Sequence, residues 1–256
     1  MKLHFNELEA PSKEASPPMD SPSKGEVHLW SHFLSPNDPF APHARFVLSS
    51  TELEKSDKFH FEKDKRAYQS GHVFIRRVIS SYTGIDPVNL EISQDKNHKP
   101  YLENSSIPIH FNISHSRNLI LLAIGNDIEV GVDTEFIKED FDVDEFANSN
   151  YHPNEKLVFD SLKGQNQSDF FYRIWTYKEA FLKLTGEGIN DHLNQIDFSG
   201  EKASIKYSKG EPRNLWLCSW KQDDDYICSL ACGSSSAPDL KFYESSFIEP
   251  AINEDI

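Results

Sequence analysis

The chain has 256 residues, 12% aromatic side chains, three cysteines and a formal net charge of −15 at pH 7, enough for one large domain or two small ones with a sizeable core. That acidity argues against broad binding to nucleic acid or an anionic membrane, though it leaves room for a local basic pocket. The longest apolar run, Leu119–Ile124, falls far short of the ~20 residues of a membrane-spanning helix, and Cys218, Cys228 and Cys232 lack paired metal spacing and read as free thiols of a reducing, cytoplasmic compartment.

Residues 1–26 hold Pro11, Pro17, Pro18 and Pro22 among Ser, Lys and Glu; with no signal-peptide pattern, they read as a flexible leader. An N-terminal half, 27–128, follows. It opens with an apolar strand from Val27 and continues with a charged helical region from Thr51 to Tyr82 that closes at Gly84. The basic turn KNHKPYL comes next, then Asn112–Gly125, which reads as a turn and a buried strand. The C-terminal half, 129–236, starts with the strand in DIEVGVDTEF, with the junction near Gly125–Val130. More helix spans Val143 to Leu162, and strand patterns return at Ala203–Tyr207, Leu215–Trp220 and Tyr226–Ala231. Residues 237–256 form a polar tail in which KFYESSFI can dock locally. The expected class is α+β, built from two α+β halves.

Between these helices and strands lies IWTYKEAFLKLTGEGI. Phe170, Ile174, Tyr177, Phe181 and Leu184 fall on one helical face, and Gly186 and Gly188 end the helix. Trp175, Glu179 and Lys183 cluster on the far side, which is either a solvated surface or the wall of a site.

The candidate chemistry sits in three further places. Asp133 and Glu135, two apart on a strand, share one face with ~6.6 Å between Cα atoms, and their repulsion is relieved either by solvent or by a cation such as Mg2+. Glu179 and Lys183 are either a surface pair worth ~0.3–0.5 kcal/mol or a third carboxylate, ligand or general base, beside a phosphate-binding lysine. Asn112, Ser114, His115 and Ser116 are expected in a turn whose amides can hold an anion, or in an ordinary Asn/Ser turn. Lys55, Lys58, Lys63, Lys65 and Arg66, with Lys96, His98 and Lys99, supply cations for a polyphosphate ligand.

The segments NISHS, GVDTE and WTYKEAFLK, in this order and at these separations, resemble the 4′-phosphopantetheinyl transferase family, above all its long, pseudo-dimeric branch that activates peptide and polyketide synthetases. FHFEKDKRAYQSGHVFIRRVISSYTGIDP is similar to that family's N-terminal helical region, and KNHKPYL to its G-K-P turn. The resemblance runs from about Val27 to Phe198. It implies two similar α/β subdomains in a pseudo-twofold arrangement with coenzyme A in the cleft between them. It also implies Mg2+ on the pyrophosphate, and attack by a serine of an apo acyl or peptidyl carrier protein that releases adenosine 3′,5′-bisphosphate. Carried over, Asp133, Glu135 and Glu179 hold the metal, and Glu179 is also the base for the serine. Lys183 binds phosphate. His115, Ser114 and Asn112 contact coenzyme A, as do Lys55 near the 3′-phosphate and Lys99 and Pro100 beside the adenine. A monomer with no nucleic-acid or membrane partner is implied. His98 departs from the family's usual Gly, and Lys178 is given no role. Phe141, Val143 and Phe146 are either core or part of the carrier-docking surface.

Overall fold

Alternation along the strands decides the layering. The computed structural model describes residues 5–8, 12–17, 20–138, 141–187, 193–200, 204–205 and 214–248. Its first half holds β1 (Phe5–Glu7), β2 (Glu26–Phe33), α1 (Ala44–Val47), α2 (Ser50–Ser56), α3 (Glu62–Thr83), β3 (Ile92–Gln94), β4 (Pro100–Leu102), β5 (His110–Ser116) and β6 (Leu119–Gly125). Then come β7 (Val130–Phe136), α4 (Val143–Asn150), α5 (Pro153–Ser161), α6 (Gln165–Thr185), β8 (Ile196–Asp197), β9 (Ser204–Ile205), β10 (Trp216–Gln222), β11 (Tyr226–Cys232) and β12 (Asp239–Glu244). Two four-stranded sheets result among the described residues, ordered β12-β2-β6-β5 and β1-β10-β11-β7.

Successive strand side chains point to opposite faces, so each sheet serves two cores. Val27, Leu29, Leu119 and Leu121 meet Val130, Val132, Cys218 and Leu230 in a layer shared by both sheets. Trp30, Ile120 and Leu122 point the other way, onto α3 residues such as Phe74 and Val78. Ile227 and Ala231 likewise point out onto α6. The order of layers is helix, sheet, sheet, helix. Because β6 is apolar on both faces and wholly buried, it reads in the sequence as an unbroken hydrophobic run.

The two sheets share one pairing pattern, a parallel edge strand followed by three antiparallel ones. In each case the edge strand comes from the opposite end of the chain: β1 pairs with β10 and β12 with β2. This corrects the flexible leader expected for 1–26, whereas the C-terminal segment docks through KFYE, as the sequence allowed. The Glu14 amide also bonds to the Phe242 carbonyl at 2.8 Å, and Pro22 is buried. Proline and serine content marked 1–26 as disordered, but strand pairing is non-local and the partner lies over 200 residues away. The connection 126–129 carries the chain from β6 in one sheet to β7 in the other.

Helical expectations follow local chemistry closely. A capping box of Ser49 and Glu52 starts α2, and Gly84 ends α3 in the αL conformation at φ 68°, which glycine adopts without a Cβ penalty. Helix α6 ends on Gly186 at φ 72°; Gly188 lies outside the described residues. Of the expected strand Ala203–Tyr207, only β9 is described. No described helix is long and apolar enough to cross a membrane.

Candidate active site

The site forms where α6 crosses β7. Gly131 permits that crossing: a Cβ there would fall well inside van der Waals contact of the Ala180 carbonyl and the Leu184 amide. With the helix axis so close, Glu179 and Lys183 stand beside Asp133, two residues along the same strand face. Lys183 Nζ lies 2.8 Å from Asp133 Oδ1 and also donates to Ser114 Oγ at 2.8 Å. Ser114 in turn donates to Asp133 Oδ1 at 2.9 Å.

Two buried oxygens in this cluster, Asp133 Oδ2 and Glu179 Oε1, have no hydrogen-bond partner among the described residues. Such atoms cost about 1–3 kcal/mol each when left unpaired, and they are the donor type a hard cation takes. Burial and then the Asp133 charge push the Glu179 carboxyl up to about 7, against the pull of Lys183. The Asp133 carboxyl is also raised, by burial first, with Glu135 adding to it and Lys183 opposing. The charges of Asp133 and Glu135 both act on Glu179, and that of Glu135 acts on Asp133. Among the described residues no three His, Cys, Asp or Glu side chains close into a preformed metal cage. The ammonium of Lys183 is the cation that Asp133 now faces.

The NISHS expectation needs correction. These residues are not in a turn: Asn112, Ser114, His115 and Ser116 all lie on β5, and the turn is Arg117–Asn118. Asn112, Ser114 and Ser116 share one face and reach the neighbouring sheet. Val132 N donates to Asn112 Oδ1 at 2.9 Å, Thr134 N to Ser114 Oγ at 3.3 Å and Phe136 N to Ser116 Oγ at 3.1 Å. The edges of the two sheets are thus joined by side chains in place of a backbone ladder, which satisfies an otherwise open strand edge. His115 falls on the opposite face and is exposed.

A cleft of about 220 Å³ opens between the halves, lined by Asn97, His98, Lys99, Pro100, Asn112, Ile113, Glu179, Leu182, Lys183 and Gly186. The β3–β4 turn closes one wall. Asp95 Oδ1 accepts from the amides of Asn97 and Lys99 at 2.8 and 2.9 Å, and Lys99 Nζ donates to the Leu184 carbonyl at 2.9 Å, where a cation complements a helix C-terminus. His98 adopts φ 63°, so the backbone keeps a left-handed conformation without glycine, at the cost that a β-carbon brings there. Lys55 does not line this cleft; its ammonium sits 5.3 Å from the Tyr68 ring centroid.

Helix α6 is covered on more sides than its apolar stripe indicates. Thr176 Oγ1 lies 2.7 Å from Ser229 Oγ, Ala180 meets Gly131, and Lys178 is fully buried. That lysine pairs with the equally buried Glu155 at 2.6 Å and donates to the carbonyls of Asn150 and Leu193 at 3.0 and 2.8 Å. Burial pushes the Lys178 ammonium down and the Glu155 carboxyl up; the network binds α4, α5 and the segment before β8 to α6. A Glu twenty-three residues before a Lys gives no local signal of this pairing. Thr134 faces away from the carboxylates, 3.2 Å from Cys228 Sγ. Phe146 packs edge-on against Trp175 at 4.5 Å, whereas Phe141 is 38% exposed.

Most of the chain is similar in sequence to known proteins. A family model described as the 4′-phosphopantetheinyl transferase superfamily matches residues 123–231, and one described as 4′-phosphopantetheinyl transferase, N-terminal, matches 35–126. The 4′-phosphopantetheinyl transferase HetI of a Nostoc species is 31% identical over 214 residues, covering 80% of this chain and 87% of its own. The 4′-phosphopantetheinyl transferase gsp of Aneurinibacillus migulanus is 30% identical, covering 76% and 81%. A 4′-phosphopantetheinyl transferase of Bacillus subtilis is 26% identical, covering 77% and 89%.

Proposed function

Because this chain belongs to the 4′-phosphopantetheinyl transferase superfamily, we propose that its cleft moves the phosphopantetheine arm of coenzyme A onto a serine of an apo acyl or peptidyl carrier protein. The other product is adenosine 3′,5′-bisphosphate. One observation carries the assignment of residues: two buried carboxylate oxygens without a partner among the described residues, on Asp133 and Glu179, beside Lys183, with Glu179 and Lys183 lining a cleft walled by both halves.

Asp133, Glu135 and Glu179 fit Mg2+ as hard oxygen donors. A bound Mg2+ would supply charge stabilisation on the pyrophosphate oxygens. Without a metal, burial and the Asp133 charge hold the Glu179 carboxyl up at about 7; in its carboxylate form it is the group that would take the proton from the serine hydroxyl. Lys183 spends two of its three N–H donors on Ser114 and Asp133 among the described residues, which leaves one for a phosphate oxygen. Asn112, Lys99 and Pro100 line the wall that would take the nucleotide part of coenzyme A; His115, exposed on the other face of β5, would meet only a 3′-phosphate that extends beyond the cleft, and Lys55 lies off the cleft. Phosphoryl transfer asks a protein mainly for positioning and charge. Every proposed group comes from one chain, so a monomer suffices, and three unpaired cysteines suit a reducing cytoplasm.

The test is intact-mass measurement of a panel of apo carrier domains after incubation with coenzyme A and Mg2+. A phosphopantetheine mass increase on at least one carrier is expected. Cleavage of coenzyme A at the same rate without any carrier would point to a pyrophosphohydrolase instead.

A further inference from the structure

Ser116 repeats, one rung along, the contacts of Ser114. Ser114 accepts from the amide of Thr134 at 3.3 Å and donates to the carboxylate of Asp133 at 2.9 Å. Ser116 accepts from the amide of Phe136 at 3.1 Å and donates to Glu135 Oε2 at 2.9 Å. In both cases the donating amide belongs to the residue after the carboxylate. A serine hydroxyl has a single proton. Since an N–H points at its oxygen, that proton must go to the carboxylate, so the direction of each bond is fixed.

The consequence differs between the two carboxylates. Asp133 is buried and would stay in place with Lys183 alone. Glu135 is longer and half-buried, and among the described residues the hydroxyl of Ser116 is the hydrogen-bond donor that turns it back along the strand face. A free glutamate at this edge has other staggered rotamers that reach solvent. We infer that Ser116 is a positioning residue: from one half of the molecule its hydroxyl restrains Glu135 of the other half on the strand face that Glu135 shares with Asp133, which limits how far that carboxylate must turn to join Asp133 and Glu179 around a cation. The alternate-residue pattern of NISHS is then a two-sided device. Its serines close the seam between the sheets and aim the carboxylates with the same oxygen atom.

This inference rests on the transferase reading, and its test separates the two. Mn2+ is titrated calorimetrically into wild-type protein and the Ser116→Ala and Ser116→Thr variants, with thermal melts in parallel. Hydrogen-bonded partners of metal-ligating carboxylates typically contribute ~10–100-fold to metal affinity. A roughly tenfold weaker Kd is expected for Ser116→Ala, with near-wild-type affinity in Ser116→Thr, which keeps the hydroxyl and suits a strand. In the transfer assay the Mg2+ requirement should rise for Ser116→Ala while KM for coenzyme A stays unchanged. If Ser116→Ala does not fold, Ser116→Cys, a weak donor of similar size, takes its place with the same loss expected. Equal Mn2+ affinity in wild type and Ser116→Ala overturns the inference, as does equal weakening in Ser116→Thr or no Mn2+ binding by the wild type. A hydroxyl-dependent Kd with no carrier modified would uphold the positioning role and defeat the transferase reading; the reverse pattern would do the opposite.

Discussion

Glu179 ties the stability of the protein to pH with a sign that follows from its burial. In the folded state its carboxyl is raised from the ordinary 4.5 to about 7, so the folded chain holds that proton more tightly than the unfolded one. The stabilisation is therefore fully present below about 4.5 and is lost as pH rises to about 7. At ~1.4 kcal/mol per pKa unit, the loss is ~3 kcal/mol, a substantial part of a typical folding free energy of about 5–15 kcal/mol. Glu179→Gln keeps the shape and removes the charge. Urea unfolding in the presence of EDTA, from pH 5 to pH 8, should show wild type losing up to ~3 kcal/mol. The variant should lose distinctly less, with a remainder from Asp133, which is raised in the same direction. At pH 8 Glu179→Gln should be the more stable protein, and it should fail to transfer in the mass assay. Adding Mg2+ should recover stability in wild type and much less in Glu179→Gln. An undiminished pH slope in Glu179→Gln would refute the argument, because the excess proton would then sit elsewhere.

Gly131→Ala should destabilise by about 1–3 kcal/mol or more and abolish transfer, since α6 must move away from β7; chemical denaturation and the mass assay together check this. Glu155→Gln should cost about 3–5 kcal/mol by leaving the Lys178 ammonium buried and unpaired, whereas Glu155→Leu with Lys178→Met should recover much of the loss; a double-mutant cycle measures it. Lys183→Ala should lower kcat and His115→Ala should raise KM for coenzyme A, since a contact made only in the transition state lowers kcat and a ground-state contact changes KM. With coenzyme A lacking its 3′-phosphate the His115→Ala effect should shrink, and an unchanged effect would remove His115 from that phosphate.

Local chemistry in the sequence was enough to end α3 and α6, because each stops on an αL glycine, but not to start α3, since 51–82 reads as one helical region and is broken between α2 and α3. The shared face of Asp133 and Glu135 follows from the period of a strand, and the order of the three motifs was enough to indicate the family. What lay beyond one sequence neighbourhood was decided by tertiary structure. NISHS resembles a turn in composition, yet it is an extended strand because β6 pairs with it and its polar side chains find the amides of β7. Residues 5–7 and 239–244 look like parts of polar ends and become edge strands because distant partners offer open backbone groups. Lys178 looks like one more charge on a helix, and only the approach of α5 shows it to be a buried ion pair. Lys55 looks like one of several cations and lies off the cleft. Periodicity records which residues avoid water, but it carries no information about which distant surface excludes that water, and the carboxylate site is made by that exclusion.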